Sequence, residues 1–122
     1  MTTQGWDPPQ IPVLLQILLQ KTREGKLRWQ QTVDEHTFLA AQPDERVIEI
    51  SAVFGGVREW EDRRVRDVTI NFVVRDADGN PLVEHFAIGD NTLEYELYKS
   101  AERVARRVDE EVARLIEWAN SV

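Results

Sequence analysis

The fold of this chain is decided by residues 68–88, which read VTINFVVRDADGNPLVEHFAI. Apolar side chains recur at alternate positions on both sides of a central turn, and a period of two is typical of strands with one buried face. In the turn, Gly79 and Asn80 tolerate positive φ, and the aspartates beside them can hydrogen-bond their own backbone. The stretch therefore predicts an antiparallel β-hairpin.

The same period extends towards the N-terminus. Alternating patterns at 27–30, 37–42 and 47–54 are separated by polar turns at 34–36 and 42–45. In the third of these runs one face is entirely apolar, with Ile48, Ile50, Ala52 and Phe54. Together with the hairpin, these segments predict a meander of about five antiparallel strands.

Two amphipathic helices flank the predicted strands. Pro12 suits the first turn of a helix, Gly25 fits a C-terminal cap, and apolar residues recur between them at helical spacing. After Asn91, which is placed to cap a second helix, the apolar residues again have helical spacing. They are Leu93, Leu97, Ala101, Val104, Val108, Val112, Leu115 and Ile116. This second pattern is roughly heptad-like, so part of its face could serve a helix partner as well as the sheet.

The order of these elements predicts the α+β class, with an N-terminal helix, the meander, and a long C-terminal helix packed on one sheet face. We expect both helices on that face, a largely polar outer face that carries His85, and Trp29 and Trp118 in or near the core. With 122 residues the chain has the length of one domain. Residues 1–10 are predicted to be a flexible N-terminal segment and residues 11–122 a single domain.

Composition excludes several classes of function. The chain has no cysteine, which excludes thiol nucleophiles, disulfides, iron–sulfur clusters and cysteine-rich zinc sites. Fifteen Lys and Arg against twenty-two Asp and Glu give a net charge of −7, which opposes close approach to nucleic acid. The N-terminus lacks the pattern of a signal peptide, and the apolar run at 11–19 is too short to span a bilayer. We therefore expect a cytoplasmic protein without membrane association.

Several short segments resemble a family of small bacterial proteins of uncharacterised function. They are Glu24-Gly25-Lys26-Leu27 with Trp29, Thr37-Phe38-Leu39-Ala40, the turn Asp76 to Asn80, and Leu93, Leu97-Tyr98, Ala101, Arg103 and Val108-Asp109. The resemblance implies a strand meander between an N-terminal and a C-terminal helix. It implies no activity and no site residue. The charged stretch 57–66 is longer than the corresponding connection of that family.

Groupings that could carry catalysis or bind metal are sparse. The turn at 76–80 has the alternating oxygen ligands of a calcium loop, but the acidic ligand and flanking helices that such a loop requires are missing. Asp34, His36 and Glu45 could form a small-ligand or metal-dependent site, which is the alternative function that the sequence leaves open. Gly55-Gly56 does not continue as a phosphate-binding loop. We expect no catalytic residue, no metal and no cofactor.

The most individual segment is 58–67, where four arginines and four acidic residues surround Trp60. Trp and Arg dominate binding hot spots, so the segment is either an interface or an extended hairpin whose Trp packs on its own arginines. The predicted partner-binding residues are Trp60, Arg58, Arg63, Arg64, Arg66 and Trp6. A nucleic-acid accessory role through Arg63, Arg64 and Arg66 is a further alternative.

These observations favour a non-catalytic protein-interaction module that acts as an adaptor, chaperone or immunity-type partner, as a homodimer. Small acidic secretion chaperones share the size and charge but place a helix between strands. That likeness requires a helix at 58–67, and the sequence leaves hairpin, loop and short helix open for this segment.

Overall fold

The computed structural model describes residues 9–122, and at positions 58, 60 and 65 it describes the backbone only. Its elements are α1 (Gln10–Arg23), β1 (Gln30–Gln31), β2 (Thr37–Ala41), β3 (Val47–Trp60), β4 (Arg63–Arg75), β5 (Pro81–Ile88) and α2 (Leu93–Ser121). The strands form one antiparallel sheet in the order β1-β2-β3-β4-β5. The predicted α+β arrangement is confirmed. The predicted flexible segment is residues 1–10, and residues 1–8 of it lie outside the described residues.

The core lies between the sheet and α2 and continues between α2 and the buried face of α1. Helix α2 contacts all five strands, and α1 packs along α2. The largest fully buried side chains are those of Trp29, Tyr98, Phe38, Phe72, Leu15, Ile50, Ile70, Leu97 and Val68. The indole N–H of Trp29, which has no exposed surface, donates to the Thr22 hydroxyl at 3.0 Å. The predicted core position of Trp29 is confirmed, because its apolar ring is buried and its polar atom is paired.

The helix ends show which capping predictions are right. At the end of α1, Gly25 has φ 75, and Lys26 N–H donates to the Lys21 carbonyl at 2.9 Å, which confirms the glycine cap. At the start of α2, the cap is Thr92, whose hydroxyl accepts from Tyr95 N–H at 3.1 Å. The prediction of Asn91 is wrong by one residue, because Thr92 has the extended backbone that a capping residue needs.

Strands β3 and β4 extend beyond their neighbours. β2 pairs with residues 47–51 of β3, and β5 pairs with residues 69–75 of β4. Beyond the pair Phe54 and Val68, residues 55–67 form a two-stranded hairpin arm. Its turn residues Glu61 and Asp62 have φ 48 and 62, the positive values of a type I′ turn. Segment 58–67 is therefore a hairpin, and the helix that a likeness to secretion chaperones requires is not formed there.

Two predictions about side-chain placement are wrong. His85 lies on the covered face, because β5 pairs it with the core residue Phe72, and its Nε2 is 2.5 Å from Glu94 Oε2 of α2. Trp118 is 66% exposed, because α2 continues past the core. The outer face is also less polar than expected, since Val53, Phe86 and Ile88 are exposed.

Candidate protein-binding surfaces

The second half of α2 projects from the folded body. Helix α2 has 29 residues, a length of about 43 Å, and its last buried residue is Ala105. Every residue from 106 to 122 is exposed. We call residues 108–121 the α2 tail.

The α2 tail continues the stripe that holds α2 on the core. The core-facing residues Leu97, Ala101 and Val104 have spacings of four and three, and the same spacings recur eleven residues later at Val108, Val112 and Leu115. We call Val108, Val112, Leu115 and Ile116 the apolar stripe. Val112 is 48% exposed and Leu115 62% exposed. An eleven-residue period keeps side chains along one face of a nearly straight helix, so the apolar stripe continues the core-facing side of α2.

A groove lies beside the root of the tail, between the end of α1 and α2. Its volume is about 750 Å³, and four arginines line it, Arg23, Arg28, Arg103 and Arg107, together with Leu27 and Val104 among others. None of its described lining residues is acidic. Arg23 lies 3.6 Å from Glu96, whereas Arg28 and Arg107 form no ion pair with any described residue. We call this the arginine groove; it is a concentration of positive charge in a chain of net charge −7.

The hairpin arm carries five of the six residues predicted to bind a partner. The backbones of Arg58 and Trp60 pair with those of Val65 and Arg63. Arg63 and Arg64 are exposed. Trp6 lies outside the described residues. The arm therefore brings the predicted arginines together on one projecting ribbon.

Opposite charges lie close together on the hairpin arm. Glu59 pairs with Arg64 across the ladder, which places opposite charges side by side. The guanidinium carbon of Arg66 is 4.7 Å from the ring centroid of Phe54, within cation–π range. Acidic and basic groups are thus interspersed along the arm.

The turn between β1 and β2 holds Asp34 and His36 in a structural hydrogen-bond network. Asp34 accepts from His36 N–H at 2.9 Å and from the Thr37 hydroxyl at 3.0 Å, and these hydrogen bonds lower the pKa of its carboxyl. His36 Nδ1 is 3.2 Å from the Tyr98 hydroxyl. Burial raises the pKa of Tyr98 to about 12, and Glu102 adds to the effect.

Glu45 is not part of this network. It occupies the turn between β2 and β3, at the opposite end of β2, with φ 69. Within residues 9–122, no three histidine or acidic side chains are grouped so that they could hold a metal ion. Asp34 and His36 are therefore brought together, and Glu45 is separate from them.

Sequence reasoning noted the helical stripe but missed two parts of this surface. The sequence predicts Trp118 in or near the core, whereas it lies past the end of the buried part of α2. The arginine groove combines residues that are about eighty positions apart in the chain, and their proximity has no local signal. The one available signal was the length of α2, which exceeds what a small sheet can cover.

No protein family, no curated protein and no solved structure matches this chain. Among the described residues, no helix is both long enough and apolar enough to span a membrane.

Proposed function

We propose that this chain is a non-catalytic protein-interaction module that works as a homodimer, in the role of an adaptor, chaperone or immunity-type partner. The observation that carries the proposal is the exposed apolar stripe of the α2 tail. Burying these side chains against a partner would stabilise the complex by about 25 cal/mol for each Å² of apolar surface removed from water. A continuous apolar face of this kind is typical of a contact surface.

A second copy of the same helix fits the stripe. In an antiparallel pair with a two-fold axis near Val112, residues equally far before and after this position face each other, so Val108 meets Ile116 of the second copy. The same flank of both helices then meets across the axis. Glu111 and Arg114 lie on that flank, and Glu111 of each copy is one residue from the level of Arg114 of the other copy, within reach of the two long side chains. Within one chain these two side chains already form an ion pair at 2.8 Å.

The hairpin arm is the second surface of the proposed module. It projects beyond the sheet, and its interspersed charges suit a protein partner better than the uniform negative charge of a nucleic acid. The predicted binding role of Arg58, Trp60, Arg63, Arg64 and Arg66 belongs to this proposal. With the α2 tail engaged in the dimer, the arm of each copy stays available for a further protein.

Size-exclusion chromatography with light scattering tests the proposed homodimer. The 14.2 kDa chain is expected to elute with twice that mass at micromolar concentration. Leu115→Glu places a charge in the apolar stripe and should give the monomer mass. Ala113→Glu is the matched control, because residue 113 is exposed and lies outside the apolar stripe, about 100° around the helix from Val112, and it should remain dimeric. A monomeric wild-type chain over the whole accessible concentration range contradicts the proposal.

A further inference from the structure

The contacts proposed so far for the dimer do not involve the arginine groove. We infer that the Trp118 indole of each copy docks in the arginine groove of the other copy. This inference rests on the proposed homodimer. The docking contact would select the antiparallel arrangement of the two α2 helices.

The position of Trp118 along the helix matches the groove. Trp118 lies six residues after Val112, and Arg107 lies five residues before it. In an antiparallel pair centred near Val112, Trp118 of one copy therefore lies beside Arg107 of the other. A parallel pair would instead place Trp118 beside the second copy's own tail, far from the groove.

Trp118 also lies on the correct flank. Positions 100, 103, 107, 111, 114 and 118 are three or four residues apart, so they form one ridge along α2. Ser100, Arg103 and Arg107 of this ridge line the groove. Because a two-fold axis brings the same flank of both helices together, Trp118 approaches the side of α2 on which the groove opens.

The chemistry of the groove suits an indole. Leu27 and Val104 offer apolar contact to the ring, and the arginine guanidinium groups can lie over its π face. Arg28 and Arg107 form no ion pair with a described residue, so a π face would give them an electrostatic partner. Trp118 is 66% exposed in the single chain, so docking in the groove removes apolar surface of its ring from water. Paired Trp and Arg residues are the commonest hot spots of protein interfaces.

The test is a double-mutant cycle on the dimer dissociation constant, measured by sedimentation equilibrium with the full-length chain. Trp118→Ala should raise the dissociation constant by about thirtyfold or more, as expected of a hot spot. Arg107→Ala should raise it by about tenfold, and the double variant should lose less than the product of both effects, because the two groups contact each other. Trp118→Phe keeps an aromatic ring and should fall between wild type and Trp118→Ala.

Arg106→Ala is the matched control. Arg106 lies at nearly the same level as Trp118 of the other copy, but it is on the opposite flank of α2 from Arg107, pairs with Glu102 at 3.0 Å and does not line the groove. It should leave the dissociation constant within about twofold of wild type. Strictly multiplicative effects of Trp118→Ala and Arg107→Ala, or no effect of either, overturn the docking contact. In that event the proposed homodimer still holds if the wild type is a dimer and Leu115→Glu is a monomer. A monomeric wild type overturns both.

Discussion

Gly55 is the residue on which the geometry of the hairpin arm depends most directly. The ladder between β3 and β4 shifts register between Phe54 and Val57, so two residues of β3 oppose Asp67 alone. A Cβ at Gly55 would lie 2.9 Å from the Cβ of Asp67. That atom is the root of its side chain, so the backbone would have to move.

We therefore predict that Gly55→Ala lowers the free energy of unfolding by about 1–3 kcal/mol, measured by urea denaturation. Gly56→Ala is the control, since a Cβ there meets no atom within 4 Å. Equal midpoints for the two variants would show that the bulge does not have this close approach.

Tyr98 gives the fold a dependence on alkaline pH. Its pKa is about 12 in the folded chain because of burial, compared with about 10 in an unfolded chain. Between these values the unfolded state loses a proton that the folded state keeps, so the free energy of unfolding falls as the pH rises. The fall attributable to Tyr98 is at most about 1.4 kcal/mol per pH unit.

Urea midpoints measured from about pH 9 to 11.5 should therefore decline less steeply in Tyr98→Phe than in wild type. At neutral pH the variant loses only the contact of the hydroxyl with His36 Nδ1 at 3.2 Å. Parallel pH profiles for wild type and variant would mean that Tyr98 ionises at an ordinary pH.

At the scale of elements, the start of α2 offers a direct comparison of two neighbouring residues. Thr92→Ala removes the hydroxyl that accepts from Tyr95 N–H, so we expect a loss of about 1 kcal/mol in the free energy of unfolding. Asn91→Ala should change it by less than about 0.5 kcal/mol. Thermal denaturation followed by circular dichroism distinguishes the two, and the opposite order would place the cap at Asn91.

The elements that the sequence predicted well are those with a buried, periodic face. Ile48, Ile50 and Ala52 alternate with polar residues, and β3 buries these three, because a slip of one residue would expose them. The arm at 58–67 is dense in charge and has no apolar period, so the sequence left hairpin, loop and short helix open for it. The alternation of β5 does not tell which face carries His85, because a polar residue faces solvent unless a partner such as Glu94 is supplied from the helix above it.

At the scale of the whole molecule, positive charge is concentrated at one place on an acidic protein. The net charge of −7 coexists with a groove lined by four arginines, and the groove opens on the flank that carries Trp118. The helical pattern indicates that part of the α2 face could serve a helix partner, but where the exposed tail begins and where the groove forms depend on where α2 leaves the sheet and cannot be predicted from local patterns. A dimer that covers the apolar stripe and fills both grooves accounts for the two features together.

The absence of cysteine makes a direct test of this dimer possible, because a single introduced cysteine takes a spin label at one known position. The most direct measurement is the label-to-label distance by pulsed electron paramagnetic resonance, with labels at Ala113→Cys and, separately, at Glu96→Cys. An antiparallel dimer centred near Val112 predicts a distance below about 30 Å at position 113 and about 50 Å at position 96. Short distances at both positions would indicate parallel helices, and no dipolar coupling at position 113 would contradict the dimer itself.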